Sequence, residues 1–145
     1  MGTLAFSASG KLRVPIVSRF LHGYGISFRI WFEGELDERN WVWDFGGMKR
    51  AKTAIDGMNP KMWMDYMFDH TTLVAQDDPF LEGFKRMDID GIIQLRIIPA
   101  TGAEQFAKFI YNKINPFVLE ETDGRVKVAQ VEFMEHNKNT AIYKP

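Results

Sequence analysis

Asp69 and His70 form the adjacent pair in this sequence whose side chains are best suited to acid–base chemistry. A carboxylate can orient an imidazole and make it a stronger base, and an imidazole held in this way can move protons near neutral pH. An adjacent pair is weak evidence by itself, because neighbouring side chains often point apart. Its role therefore depends on the elements that surround it.

The chain offers few groups for metal or nucleophile chemistry. It has no cysteine, which excludes disulfides, thiolate nucleophiles and cysteine-ligated zinc, and its three histidines are His22, His70 and His136. On a strand, His22 and Tyr24 would project from one face about 7 Å apart. Metal ligands use that spacing, but tyrosine is a poorer zinc ligand than histidine. The pattern supplies too few ligands for a catalytic zinc ion, which typically has three from the protein.

Two glutamates are candidate ligand-binding residues. Glu104 stands three residues after Thr101, a spacing that also fits a helix capping box. Glu135 shares a predicted strand face with Phe133, whereas Glu132 points to the other face and is expected to be solvated. A carboxylate among apolar neighbours can bind the amidine-like edge of a pterin or guanine through two parallel hydrogen bonds.

Length and composition favour one globular domain over residues 1–145. The chain is 46% hydrophobic and 14% aromatic, enough for a sizeable core. Eighteen basic and nineteen acidic residues give a net charge of −1, which offers no electrostatic reason to expect nucleic acid as a partner. No signal peptide and no apolar run of membrane-spanning length is visible, so we expect no membrane partner and a cytoplasmic location.

Alternation of apolar and polar residues predicts the strands. The clearest run covers residues 22–32, where every second residue faces a core. Further strands are predicted at residues 4–8, 92–98, 126–136 and 140–143.

Helical spacing and capping residues predict two helices. Asp44 precedes a pattern that reaches residue 55, and Thr101 precedes a stripe that Pro116 is expected to end. Residues 61–70 fit either a helix or a loop, and the charged residues 76–90 fit an exposed excursion. The predicted fold class is α+β, with a four-stranded antiparallel sheet and two helices on one face, and oligomers would cover its edges.

Several segments together resemble the 6-pyruvoyl-tetrahydropterin synthase and 6-carboxytetrahydropterin synthase family. The order and spacing of the matches are more specific than any one of them. The matching segments are FSASGKL at 6–12 for Phe-x-Ala-Ala-His-x-Leu, LHGY at 21–24 for Leu-His-Gly-His, VWDFGGMK at 42–49 for Val-x-Asp-Phe-x-x-Leu-Lys, FDHTTL at 68–73 for Leu-Asp-His-x-x-Leu, AEQFA at 103–107 for the Thr-Ala-Glu-Asn-Leu-Ala segment, and VEFME at 131–135 for the terminal strand.

The resemblance implies the tunnelling fold, a ββααββ unit that assembles into trimers and hexamers with sites between subunits. It implies that Asp69 and His70 are the acid–base pair and that Glu135 anchors the amino-pyrimidine edge of a pterin. Glu104 would be a further carboxylate of the site. Family members are carbon–oxygen lyases that act on dihydroneopterin triphosphate.

The chain departs from the family at the metal and the nucleophile. Of three zinc-binding histidines only His22 is kept, because the other two positions are Gly10 and Tyr24. Ser18 aligns with the catalytic cysteine, and a serine needs a strong adjacent base to act as a nucleophile. We therefore expect no resident cofactor, with zinc bound only if the family site is rearranged.

Three functions follow from this pattern. The first is a divergent protein that binds a pterin or purine-like heterocycle without zinc. The second is an active synthase with replacement metal ligands such as His136 or Asp65. The third is a non-catalytic oligomeric assembly protein, in which the Asp69–His70 pair is structural.

Overall fold

The computed structural model describes residues 2–6, 21–50, 54–136 and 139–145, with the backbone alone for residues 2–6, His22 and Tyr24. Its strands are β1 (Gly2–Phe6), β2 (His22–Gly34), β3 (Thr71–Ala75), β4 (Leu95–Ile98), β5 (Val126–Glu135) and β6 (Asn139–Tyr143). Its α-helices are α1 (Pro60–Phe68), α2 (Leu81–Ile89) and α3 (Ala103–Glu121).

The strands form one six-stranded sheet in the order β4-β3-β1-β2-β5-β6. Strands β1, β2, β5 and β6 pair antiparallel and make up the predicted four-stranded sheet, so the α+β class is confirmed. Strands β3 and β4 extend it on the β1 side by parallel pairing. Parallel pairing requires a crossover connection, and α2 lies in the one between β3 and β4.

The core lies between the helices and one face of the sheet. The stripe predicted for α3 packs onto β5, where the rings of Phe106 and Phe133 are 5.0 Å apart. Trp63 of α1 is fully buried, and its indole Nε1 donates a hydrogen bond to Asp56 at 3.1 Å. Lys113 of α3 also binds Asp56 at 3.1 Å, so one carboxylate joins the two helices.

The helix predicted from Asp44 to residue 55 is wrong. The described part of this segment has a 3₁₀ turn at Phe45–Met48, which Asp44 caps by accepting from the Gly46 amide at 2.8 Å. Ile55 instead forms a β-bridge with Met58, across a turn in which Asp56 has a φ of 50°. Glycines in the first turn and a left-handed residue beyond it favour turns over a helix.

The predicted boundaries of the second helix are also wrong. Helix α3 begins after Gly102, whose φ of 110° sets the turn, and no side chain caps it, so Thr101 and Glu104 form no capping box. The helix continues through Pro116 to Glu121. Pro116 is exposed, and burial of Phe117 and other residues on the same helix offsets the lost backbone hydrogen bond.

Two segments are more ordered than their sequence patterns indicated. Residues 61–70, whose pattern fits either a helix or a loop, contain most of α1. Residues 76–90 contain α2, which has no buried residue, so this part of the segment is not buried but is helical, and Asp78 before it is buried. Gly10, Ser18 and the rest of residues 7–20 lie outside the described residues. Among the described helices, none has both the length and the apolar character needed to cross a bilayer.

Candidate functional site

Asp69 and His70 lie at the C-terminal end of α1, and their side chains are in contact. The Asp69 amide donates to the Asp65 carbonyl at 2.9 Å and ends the helix. His70 then has a φ of 54°, a left-handed conformation that histidine adopts more readily than most residues. This turn brings His70 Nδ1 to 2.7 Å from Asp69 Oδ1, with the side chains 78% and 51% exposed respectively. An ionised carboxylate only accepts hydrogen bonds, so a neutral imidazole in this contact carries its proton on Nδ1 and keeps Nε2 as an acceptor.

A cleft of about 460 Å³ lies between α1 and β2 and reaches Asp69. Its apolar wall includes Phe28 of β2 and Phe68 of α1, whose ring centroids are 5.7 Å apart. The cleft is lined by Ile26, Ser27, Phe28, Lys61, Met64, Asp65, Phe68 and Asp69. An apolar wall with a few polar groups at its rim is the usual composition of a site for a small organic ligand.

Glu135 lies at the same level of the sheet as this cleft. It pairs directly with Ile26 in the β2–β5 ladder, so its side chain shares the face that Ile26 presents to the cleft. Asp69 caps the C-terminal end of α1 two residues before β3 begins, and it borders the same cleft as Ile26. The cleft is therefore bordered by Asp69 and by Ile26, the residue that pairs with Glu135.

Glu104 lies at the same end of the sheet and is exposed. It belongs to the first turn of α3, two residues before the Phe106 ring that packs on Phe133 of β5. The structure thus brings the Asp69–His70 pair, Glu135 and Glu104 to one end of the fold. Ser18, the remaining candidate, lies outside the described residues.

The three-histidine zinc site that the resemblance implies lacks two of its ligands, because its other two positions are Gly10 and Tyr24. The remaining histidines come from different elements. His70 follows α1, and His136 follows β5, where its amide donates to the Gly25 carbonyl at 3.0 Å. The described residues contain no group of three or more His, Asp or Glu placed to hold a metal ion.

The sequence analysis missed Lys61, and considered Asp65 only as a metal ligand, yet both line the cleft. Lys61 Nζ is 2.7 Å from Asp65 Oδ2, and Asp65 lies four residues before Asp69. On a helix, residues four apart lie on one face. A firm prediction of a helix over residues 61–70 would therefore have placed Lys61, Asp65 and Asp69 together.

A second polar cluster lies at the opposite end of the sheet. There a hollow of about 210 Å³ is bordered by Arg39, Asp44, Arg50 and Arg125, among others. The Gly46 amide, and then the Arg50 guanidinium at 2.6 Å, hold the pKa of Asp44 below its usual value of 3.8. The three arginines of the cluster each bind a carboxylate or a backbone carbonyl, so we regard the cluster as structural.

Comparison with known proteins agrees with this architecture. No curated protein matches the chain. Among solved structures, an uncharacterised protein of Wolinella succinogenes superposes with a TM-score of 0.77 at 18% identity, covering 99% of this chain and 93% of the other. The 6-pyruvoyltetrahydropterin synthase of Plasmodium vivax gives a TM-score of 0.66 at 16% identity, and that of Plasmodium falciparum gives 0.62 at 14%, each covering 99% of this chain and 90% of the other.

These superpositions, at identities below one quarter, show a shared fold. The family model for 6-pyruvoyl tetrahydropterin synthase matches residues 4–145, nearly the whole chain. The chain therefore belongs to the 6-pyruvoyl tetrahydropterin synthase family.

Proposed function

We propose that this protein binds a pterin or a related purine-like heterocycle at the end of the sheet that carries the α1–β2 cleft, and that it does so without zinc. The observation that carries the proposal is the 2.7 Å contact between His70 and Asp69, which borders the cleft together with Ile26, the residue that pairs with Glu135. The phenylalanines of the cleft supply an apolar wall for a flat ring system.

The proposed roles follow from the chemistry of each group. Glu135, on the cleft face of β5, accepts two hydrogen bonds from the amino-pyrimidine edge of the ligand. The Nε2 atom of His70 accepts a proton from a ligand carbon or hydroxyl, and Asp69 stabilises the resulting imidazolium. Glu104 contributes a further negative charge at this end of the fold. In the proposed assembly, a trimer or hexamer, a second subunit closes the cleft.

The proposal is tested by calorimetric titration of the purified protein with pterin and guanine derivatives, alongside elemental analysis for metals. We expect micromolar or tighter binding of at least one heterocycle, and a zinc content far below one ion per chain. If none of these heterocycles binds, the cleft is not a heterocycle site. If zinc is found at one ion per chain, the metal-free part of the proposal is wrong.

A second candidate is an active synthase with a rearranged site. Family membership favours it, and so does one relative: in a catalytic-residue variant of the Plasmodium vivax enzyme, the residue replaced by alanine is a glutamate. A carboxylate is thus named as a catalytic residue in that relative. Turnover of dihydroneopterin triphosphate by the pure protein, abolished by a chelator, would favour this candidate over metal-free binding.

A further inference from the structure

The last turn of α1 is held by three hydrogen bonds to consecutive carbonyls. The Asp69 amide donates to the Asp65 carbonyl at 2.9 Å. Arg96 Nε donates to the Tyr66 carbonyl at 2.7 Å, and Thr71 Oγ1 donates to the Met67 carbonyl at 2.6 Å. The last carbonyls of a helix lack partners within it, so other groups must satisfy them. Here two of the three donors are side chains, one from β3 and one from β4.

Arg96 makes the most distant of these contacts. It stands 30 residues after Tyr66, and its guanidinium lies 3.7 Å from the centre of the Tyr66 ring. Arg96 Nη1 donates to the Leu95 carbonyl at 3.0 Å, and this bond fixes the plane of the guanidinium. The positive charge also lies at the negative end of the α1 dipole. One side chain of β4 therefore binds both the backbone and the ring of Tyr66.

Tyr66 is three residues before Asp69, so the turn that Arg96 binds is the turn from which Asp69 and His70 leave the helix. Both members of the pair are more than half exposed, and surface packing contributes little to their conformation. His70 is also in a left-handed conformation. A conformation of this kind persists only where the surrounding structure over-determines it. The bonds to the last turn of α1 supply that constraint.

We propose that Arg96 is a positioning residue for the Asp69–His70 pair. It acts through Tyr66: the Nε bond and the stacked ring fix the last turn of α1, which sets the direction in which Asp69 and His70 leave the helix. The functional meaning of this role rests on the proposed heterocycle site, but the positioning itself can be measured without any ligand.

The test is the nitrogen-15 spectrum of the His70 imidazole in the neutral form, compared between wild type, R96Q and R96K. In the wild type we expect the proton on Nδ1, bound to Asp69. In R96Q we expect loss of this tautomer preference, together with faster amide exchange at Asp69 and His70. R96K keeps the charge but lacks the planar fork, so we expect only partial rescue.

Arg39 provides a matched control. Its guanidinium stacks over the Trp41 ring at 4.4 Å and binds a neighbouring carboxylate, but at the opposite end of the sheet. R39Q should leave the His70 spectrum unchanged. An unchanged spectrum in R96Q, or an equal change in R39Q, would overturn the proposal.

If R96Q does not fold, the decision rests on R96K and Y66A. Y66A removes the ring but keeps the carbonyl that Arg96 binds, so we expect a partial loss of the wild-type tautomer preference. A wild-type spectrum in both R96K and Y66A would also overturn the proposal.

Ligand binding separates this inference from the proposed function. If the wild type binds a pterin or guanine derivative, R96Q should weaken binding by roughly tenfold, about 1.4 kcal/mol, while R39Q should not. If the wild type binds no heterocycle, the proposed function fails and the His70 spectrum alone decides the role of Arg96.

Discussion

Glu135 and Ile26 lie directly opposite each other on β5 and β2, so a carboxylate stands beside one of the most deeply buried apolar residues of the sheet. A charged group at such a place requires partners, because burial without hydrogen bonds is costly. The amino-pyrimidine edge of a ligand would add two donors. This relationship is the basis of the first prediction.

Replacement of Glu135 by Gln should weaken heterocycle binding by roughly 10- to 100-fold, because hydrogen bonds to a charged group contribute about 1.5–3 kcal/mol. Calorimetric titration measures the change. E132Q is the matched control, since Glu132 is on the same strand but the opposite face, where it lies 3.8 Å from Arg29. Equal affinities of E135Q and wild type would exclude Glu135 as the anchor.

Replacement of Pro116 by Ala should stabilise the protein by about 1–3 kcal/mol. Proline is about 3 kcal/mol less favourable than alanine inside a helix, and the gain is reduced by the greater freedom of the unfolded chain. Pro116 is exposed, so no cavity forms in the core. Urea unfolding of the variant measures the effect. A loss of stability would mean that the Pro116 ring makes contacts that matter more than the helix geometry.

Replacement of Arg125 by Ala should destabilise the protein by about 2 kcal/mol. The Arg125 Nη1 donates an exposed hydrogen bond to the Glu35 carbonyl and a partly buried one to the Val42 carbonyl, and so joins both ends of the loop after β2. Loss of both bonds costs about 1–3 kcal/mol. R29A, which removes a 3.8 Å ion pair whose arginine is 67% exposed, should change stability by less than ~1 kcal/mol. Similar losses in both variants, measured by urea unfolding, would contradict this assignment.

Replacement of Asp44 by Asn should reduce the sensitivity of stability to acid. The Gly46 amide and Arg50 lower the pKa of Asp44 below 3.8 in the folded protein. Its ionised form therefore stabilises the fold at pH values above 3.8, and this contribution is lost as the pH falls through the lower folded pKa.

Melting temperatures from pH 7 down to pH 3 at low salt measure this effect. The gap between wild type and D44N should narrow in the acid range, since asparagine still caps the turn but carries no charge. R50Q leaves the hydrogen bond from the Gly46 amide to Asp44 in place, so the gap in melting temperature between wild type and R50Q should narrow less than that for D44N. A gap that stays constant over this range would contradict the prediction.

The sequence predicted the elements whose pattern is long and regular. The alternation after His22 and the stripe of α3 each repeat over several turns or pairs, and both elements were found. Strand β3 was missed because all five of its residues are buried, which leaves no alternation to detect. The helix after Asp44 was overpredicted because the spacing of its apolar residues carries no information about the turn at Asp56.

The candidate site was predictable in part, and for different reasons at each residue. Asp69, His70 and Glu135 were found through the order of family-like motifs. The cleft itself was not, because its shape depends on how α1 packs against Phe28. Arg96 carries no local signal at all, since its contact with Tyr66 spans 30 residues and exists only in the folded chain.

The left-handed backbone of His70 affects how any replacement there must be interpreted. An alanine would lose the imidazole and also keep a side chain in a backbone conformation that costs it about 1 kcal/mol more than glycine. H70G relieves that cost and leaves a space beside Asp69. Added imidazole could fill this space, and chemical rescue of H70G would then report on the ring alone, free of the conformational effect.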